Sequence, residues 1–174
     1  MSRYVWRPWP TAGNGKQEHK HNPRYGSEVK GKAEKPMKMV QTPGIDGGPL
    51  KIMLAGKAQE RLAPLVAGLM NATDAELYQA KSESDVMNLL TTRAIELVVL
   101  DEELADVAGL QMARRLAEKM PFVNCVLISS LAADEFHEQT EGLGVLMQLP
   151  SPPAAGDAET MLFHFNVIRA MQPA

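Results

Sequence analysis

Residues 96–116, ELVVLDEELADVAGLQMARRL, carry the clearest structural signals of this chain. Four apolar residues follow Glu96, which is typical of a central parallel strand covered on both faces. Asp101 directly follows this run, at the carboxyl end of the predicted strand, where open α/β sheets bind their ligands. Gly109 then opens a pattern with apolar residues three or four positions apart, which indicates an amphipathic helix. The stretch therefore predicts a buried strand, an acid at the working edge of a sheet, and a helix.

The sequence on either side alternates short apolar runs with amphipathic stretches, which is typical of an α/β fold. The predicted strands are residues 51–55, 76–80, 96–100, 124–129 and 144–149. The predicted helices are residues 58–72, 82–94, 108–120, 132–142 and 158–172. Ser82 and Asp85 are spaced as in a capping box at the start of the second helix. This alternation predicts a doubly wound parallel sheet with right-handed crossovers.

The carboxyl ends of the predicted strands mark the working edge of such a sheet. This rule selects Ala55, Gly56, Asp101, Ser129 and Leu149. No glycine-rich phosphate loop follows a strand in this sequence, and no strained nucleophile turn is recognisable. We therefore expect a site at this edge but no enzymatic activity.

The composition is that of one globular domain with a tail. The chain has 174 residues, 45% of them hydrophobic, and no apolar run of about 18 residues that could span a bilayer. Its first residues lack the continuous apolar core of a secretory signal, so we expect a cytoplasmic protein. Cys125 is the single cysteine, which excludes an internal disulfide and a thiolate-bound metal cluster.

Charge is distributed unevenly along the chain. Residues 1–50 carry nine basic and four acidic side chains, whereas the remainder carries nine basic and seventeen acidic ones. The first part also lacks a hydrophobic period and is interrupted by prolines and glycines, which is typical of a disordered or extended segment. We therefore predict a basic arm at residues 1–49 and a domain at residues 50–174.

The first twelve residues of the arm, 1–12, have the composition of a docking peptide. Both tryptophans of the chain lie here, and large aromatic rings and arginine most often anchor protein interfaces. The predicted contact residues are Tyr4, Trp6, Arg7 and Trp9. Packing of the indoles on the domain itself is the alternative. Nucleic-acid binding is disfavoured, because the lysines of the arm are interspersed with glutamates and the domain is acidic.

Residues 50–172 resemble the receiver domain of bacterial two-component response regulators. The resemblance rests on the apolar third strand ending at Asp101, on Gly109, and on CVLISS at residues 125–130. In that family a hydroxyl residue and a small residue end the fourth strand, here Ser129 and Ser130. The resemblance implies the flavodoxin-like receiver fold, with Asp101 and Ser129 at the phosphoacceptor site. It also implies partners from two-component phosphorelay signalling.

The sequence departs from the receiver pattern at several positions. Ala55 and Gly56 stand where receivers carry the acids that hold Mg²⁺ together with the acceptor. Leu149 stands at the position of the lysine that pairs with the phosphoryl group. Leu146 stands at the position of the switch aromatic. These departures predict a degenerate site that binds no Mg²⁺ and no other cofactor.

The same departures predict a shortage of positive charge around Asp101. Lys57, in the loop after the first strand, would supply charge without the geometry of a metal ion. We expect Asp101 to have a structural role, either as a cap of its loop or through a hydrogen bond to Ser129 or to a backbone N–H.

The sequence therefore predicts a non-catalytic pseudo-receiver that works as a protein-interaction or accessory subunit. It would dock on a larger partner through the arm and through residues 132–172, which by resemblance contain the usual receiver contact face. Self-association through that face is left open. The alternative is a single-domain response regulator that a histidine kinase phosphorylates on Asp101.

Overall fold

The computed structural model describes Gly44 and residues 47–171. The docking peptide predicted at residues 1–12, and nearly all of the arm, lie outside the described residues. The boundary between arm and domain therefore stays a prediction. Within the described residues, the chain forms a five-stranded sheet with five helices.

Each strand and each helix predicted from the sequence is present in the structure, in strict alternation. The strands are β1 Lys51–Ala55, β2 Glu76–Ala80, β3 Leu97–Leu100, β4 Asn124–Ile128 and β5 Val145–Leu149. The helices are α1 Gln59–Ala72, α2 Glu83–Thr92, α3 Gly109–Lys119, α4 Ala133–Thr140 and α5 Asp157–Met171. All strands pair in parallel, in the order β2-β1-β3-β4-β5. This is the flavodoxin-like order, so the predicted doubly wound sheet is confirmed.

The strand order brings the ends of β1 and β3 together. β1 pairs with β2 on one side and with β3 on the other, with Ala55 opposite Leu100. Gly56 and Asp101 follow these paired residues directly, so they lie side by side at the carboxyl edge. The order of the strands also reverses between β1 and β3, which makes this the switch point where such sheets bind ligands.

The apolar side chains form a core on each face of the sheet. Ile52 and Leu54 pack on the face covered by α1 and α5, whereas Met53 and Ala55 pack on the face covered by α2, α3 and α4. The four residues of β3, Leu97–Leu100, alternate in the same way and are fully buried. A strand between two cores needs an apolar residue at every position, which explains the uninterrupted run in the sequence.

Local signals determine where α2 begins and where α4 ends. Ser82 Oγ accepts a hydrogen bond from the Asp85 backbone N–H, and the Asp85 carboxylate accepts one from the Ser82 backbone N–H, each at 3.2 Å. The predicted capping box is therefore confirmed. The helix predicted at 132–142 already ends at Thr140, because Gly142 and Gly144 adopt φ angles of 75° and 66° and turn the chain into β5. None of the helices in the described part of the chain is long and apolar enough to cross a bilayer.

Candidate functional site

Asp101 lies at the carboxyl edge of the sheet, directly after β3. Its backbone N–H donates to Ala55 O at 2.7 Å, which extends the pairing of β1 with β3 by one residue. Asp101 is only 1% exposed. Gly56 makes room for it, because a Cβ built on Gly56 would lie 2.8 Å from Asp101 Cβ and 3.1 Å from Asp101 Oδ2. The buried position of the carboxyl group therefore requires a glycine at position 56.

A second glycine controls the loop that follows Asp101. The Gly109 N–H donates to Glu102 O at 2.8 Å, which closes the loop between β3 and α3. A Cβ on Gly109 would lie 2.0 Å from Asp101 O. The start of α3 can approach the end of β3 this closely only because Gly109 has no side chain.

The Asp101 carboxylate contacts a backbone N–H and a guanidinium group. Its Oδ1 accepts a hydrogen bond from the Glu102 N–H at 2.9 Å and lies 3.7 Å from Arg61 Nη2. Burial raises the pKa of Asp101 above its usual value, while the Glu102 N–H and the Arg61 charge oppose this increase. Of the structural roles predicted for Asp101, the structure shows the hydrogen bond to a backbone N–H.

The predicted shortage of positive charge around Asp101 is wrong, because Arg61 supplies a cation there. Arg61 lies in the first turn of α1, and its Nη2 is 3.7 Å from Asp101 Oδ1 and 3.3 Å from Glu102 Oε2. The same nitrogen donates to Ser151 Oγ at 2.6 Å. The expectation considers only the ends of the strands and Lys57, whereas the long side chain of Arg61 reaches the same place from α1.

Glu102 accepts more hydrogen bonds than Asp101 does. Its Oε1 accepts from the Ser130 backbone N–H at 2.7 Å and from Ser130 Oγ at 2.6 Å. Its Oε2 accepts from Ser151 Oγ at 2.5 Å and from Arg61 Nη2 at 3.3 Å. The two serine hydroxyls are the largest causes that lower the pKa of Glu102 to about 2. Glu102 is therefore ionised throughout the physiological pH range. No sequence pattern indicates that Glu102 accepts these hydrogen bonds.

Ser151 is the residue of the β5–α5 loop that reaches this cluster, and the sequence did not single it out. Leu149, which was aligned with the receiver lysine, is 1% exposed and lies in the core beneath α1 and α5. Leu146 packs against the same core. Both leucines therefore have a packing role. The polar contact to Glu102 comes from Ser151, which follows β5.

Ser129 and Lys57 lie at the same edge but make other contacts. Ser129 Oγ accepts a hydrogen bond from the Leu131 backbone N–H at 3.2 Å, which stabilises the loop before α4. Lys57 Nζ forms an ion pair with Glu103, and both side chains are more than half exposed. Lys57 therefore does not provide the positive charge next to the buried carboxylate.

The residues at this edge do not fit a magnesium ion. Mg²⁺ needs near-octahedral oxygen coordination, part of which carboxylates normally provide. Ala55 has no oxygen in its side chain, and position 56 has no space for an acid against Asp101. The Arg61 guanidinium already lies beside Oδ1 of Asp101. In the described part of the chain, no three His, Cys, Asp or Glu side chains are grouped so that they could hold a metal ion.

Solved receiver domains share the architecture of the described domain. The receiver domain of an HD domain-containing protein from Pseudomonas fluorescens Pf-5 is 18% identical, with a TM-score of 0.59 over 71% of this chain and 94% of that one. A CheY-like receiver domain protein from Methanospirillum hungatei JF-1 is 13% identical, with a TM-score of 0.62 over 72% of this chain and 100% of that one.

A further similar structure contains a signalling partner. It is a Saccharomyces cerevisiae response-regulator receiver domain in a co-crystal with a histidine phosphotransfer protein, 13% identical, with a TM-score of 0.61 over 70% of this chain and 92% of that one. No protein-family model matches the sequence, and no curated protein matches it either. At these identities the similarity shows the receiver fold, and function has to be inferred from the site.

Proposed function

We propose that this chain is a non-catalytic pseudo-receiver, a domain with the receiver fold that binds a protein partner and does not work by accepting phosphate. The observation that carries the proposal is the buried Asp101 carboxylate, whose side chain is 2% exposed. It lies between Gly56, the backbone N–H of Glu102 and the guanidinium of Arg61.

A carboxylate in this setting is a poor phosphoryl acceptor. A phosphodonor must approach in line with the attacking oxygen, and a side chain that is 2% exposed offers no such path. The ionised Glu102 next to Asp101 would repel an incoming phosphate, and without metal ligands at positions 55 and 56 no divalent cation would offset that charge.

Helix α5 carries an apolar surface that supports a partner-binding role. Phe163, Val167 and Met171 are 65%, 37% and 72% exposed, and their spacing of four residues places them on one side of the helix. We call these three residues the α5 stripe. Aligned apolar side chains in water are typical of interaction surfaces. The stripe lies within the contact face predicted at residues 132–172, and we propose that a protein with a complementary apolar surface binds there.

The alternative function is that of a single-domain response regulator, phosphorylated on Asp101 by a histidine kinase. The receiver fold favours this alternative, and one similar receiver domain was crystallised with a histidine phosphotransfer protein. Arg61 would then provide the positive charge for the phosphoryl group. The contacts of Arg61 with Glu102 and Ser151 would have to break first.

A matched pair of substitutions tests the α5 stripe. Partners captured from a lysate by the full chain are compared for wild type, F163S and F122S. Both phenylalanines are exposed, but Phe122 precedes β4 at the amino edge of the sheet, whereas Phe163 belongs to the stripe. We expect F163S to lose a partner that wild type and F122S both retain. If F163S recovers that partner as well as wild type does, the α5 stripe is not part of the contact face.

The docking peptide is proposed from its sequence alone and is tested separately. A chain without residues 1–12 is compared with the full chain in the same capture experiment. Loss of the partner supports docking by the arm, and unchanged recovery contradicts it. The cytoplasmic location and self-association also stay proposals.

A further inference from the structure

The donors that hold Glu102 come from distant parts of the chain. Ser130 follows β4, Ser151 follows β5 and Arg61 lies on α1, yet all of them contact one carboxylate group. The contacts range from 2.5 to 3.3 Å, and each carboxylate oxygen has two of them. The chain thus brings four donor groups from three segments to one point at the carboxyl edge of the sheet.

These donors are of the kinds that proteins use to bind oxyanions. A backbone N–H and hydroxyl groups satisfy the oxygen lone pairs, and a guanidinium adds a positive charge with directional hydrogen bonds. The side chains of Arg61, Ser130 and Ser151 together carry one positive charge, and the Asp101 carboxylate lies 3.7 Å from the same Arg61 nitrogen. The same donors would therefore satisfy the oxygens of formate, acetate or inorganic phosphate.

We propose that Arg61, Ser130 and Ser151 form an oxyanion-binding pocket, and that the Glu102 carboxylate fills it as a tethered internal ligand. This proposal goes beyond the interaction role, because it assigns a binding site and a ligand class whichever partner the α5 stripe contacts. The pocket becomes available to a free oxyanion when the Glu102 carboxylate is removed.

Tethering favours Glu102 over a free anion at this pocket. A group held by a short covalent connection next to its site acts at an effective concentration at least of the order of millimolar. The Glu102 side chain cannot diffuse away, whereas a free anion must also lose its translational freedom on binding. A free anion of similar intrinsic affinity would have to exceed this concentration to replace the Glu102 carboxylate.

The internal ligand also holds three loops in one arrangement. Glu102 opens the loop between β3 and α3, Ser130 lies shortly before α4, and Ser151 lies in the loop that leads to α5. One carboxylate therefore connects the loops that lead into α4 and α5, the two helices of the predicted contact face. We infer that this face keeps one arrangement with no phosphate bound.

Chemical rescue of a truncated side chain tests the pocket. E102A removes the carboxylate, and E103A is the matched control, because Glu103 is the neighbouring residue and pairs with the exposed Lys57 outside the pocket. The amide signal of Ser130 and the thermal midpoint are followed with formate, acetate and phosphate against chloride at equal ionic strength. We expect saturable binding and a raised midpoint in E102A only, and roughly tenfold weaker binding when R61A is added.

An equal response of E102A and E103A to the anions would overturn the proposal, as would saturable binding of the same strength in wild type. If E102A does not fold, a ¹³C titration of the Glu102 carboxyl group in wild type and S151A decides. S151A must move the midpoint of Glu102 upward, and equal midpoints in the two proteins overturn the proposal. None of these measurements uses partner capture or phosphorylation, so their outcome is independent of the proposed function.

Discussion

Gly56 lies so close to Asp101 that a Cβ on the glycine would be 2.8 Å from the Cβ of the aspartate. Receivers carry an acid near this position, whereas here the space belongs to the Asp101 side chain. A side chain at position 56 would therefore require Asp101 to move from its buried position. The glycine at position 56 and the burial of Asp101 are therefore linked physically.

Addition of a single methyl group at Gly56 should destabilise the fold. We expect G56A to lower the free energy of unfolding by about 1–3 kcal/mol, as is usual for overpacking in a closely packed region. Urea denaturation measures the difference. G156A is the control, because a Cβ on Gly156 would meet nothing within 4 Å. Equal stabilities of G56A and G156A would show that Asp101 moves aside without cost.

Glu102 should stabilise the folded state in a pH-dependent way. Its hydrogen bonds lower its pKa from 4.5 to about 2, so the folded protein binds this proton more weakly than the unfolded chain does. The stabilisation is fully present above about pH 4.5 and is lost as the pH falls towards about 2. After a reduction for solvent screening, we expect it to be about 2 kcal/mol at neutral pH.

Urea unfolding of wild type and E102Q across the acidic range measures this contribution. Wild type should lose more stability than E102Q as the pH falls from about 5 to about 3, because the glutamine has no carboxylate to protonate. E103Q serves as the control for loss of a neighbouring, exposed charge. Parallel pH curves for wild type and E102Q would mean that the donors do not hold the Glu102 carboxylate.

Asp101 should reduce stability at neutral pH. Burial raises its pKa above 3.8, so the folded protein binds this proton more tightly than the unfolded chain does, and the cost grows as the pH rises from 3.8 through the folded-state pKa. D101N keeps an acceptor for the Glu102 N–H and carries no charge. We expect D101N to be more stable than wild type at pH 7, with a smaller difference near pH 3. Thermal denaturation that shows D101N to be less stable at pH 7 would contradict this expectation.

The fold could be predicted from the sequence because its signals are local. Lys51–Ala55 and Glu76–Ala80 have the strand bounds expected from their composition, and the uninterrupted β3 run follows from burial on both faces. The topology rule also placed Gly56 and Asp101 together at the carboxyl edge. These inferences need only the pattern within each element and the order of the elements.

The contacts of the site could not be predicted, because they join residues far apart in sequence. Glu102 is separated from Ser130 by 28 residues, from Arg61 by 41 and from Ser151 by 49. Which side chains meet depends on the paths of three loops and on the length of the Arg61 side chain. Comparison with the receiver pattern selects Leu149 as the position of the lysine at the site. Leu149 packs in the core, and Ser151, two residues later, contacts Glu102.

Phosphorylation of Asp101 would distinguish a working receiver from a pseudo-receiver. The purified chain is incubated with Mg²⁺ and acetyl phosphate, and its intact mass is measured before hydrolysis of an acyl phosphate can occur. D101N, treated in the same way, is the control for modification elsewhere. We expect wild type and D101N to show no added mass. A stoichiometric gain of one phosphoryl group in wild type that is absent from D101N would contradict the pseudo-receiver account.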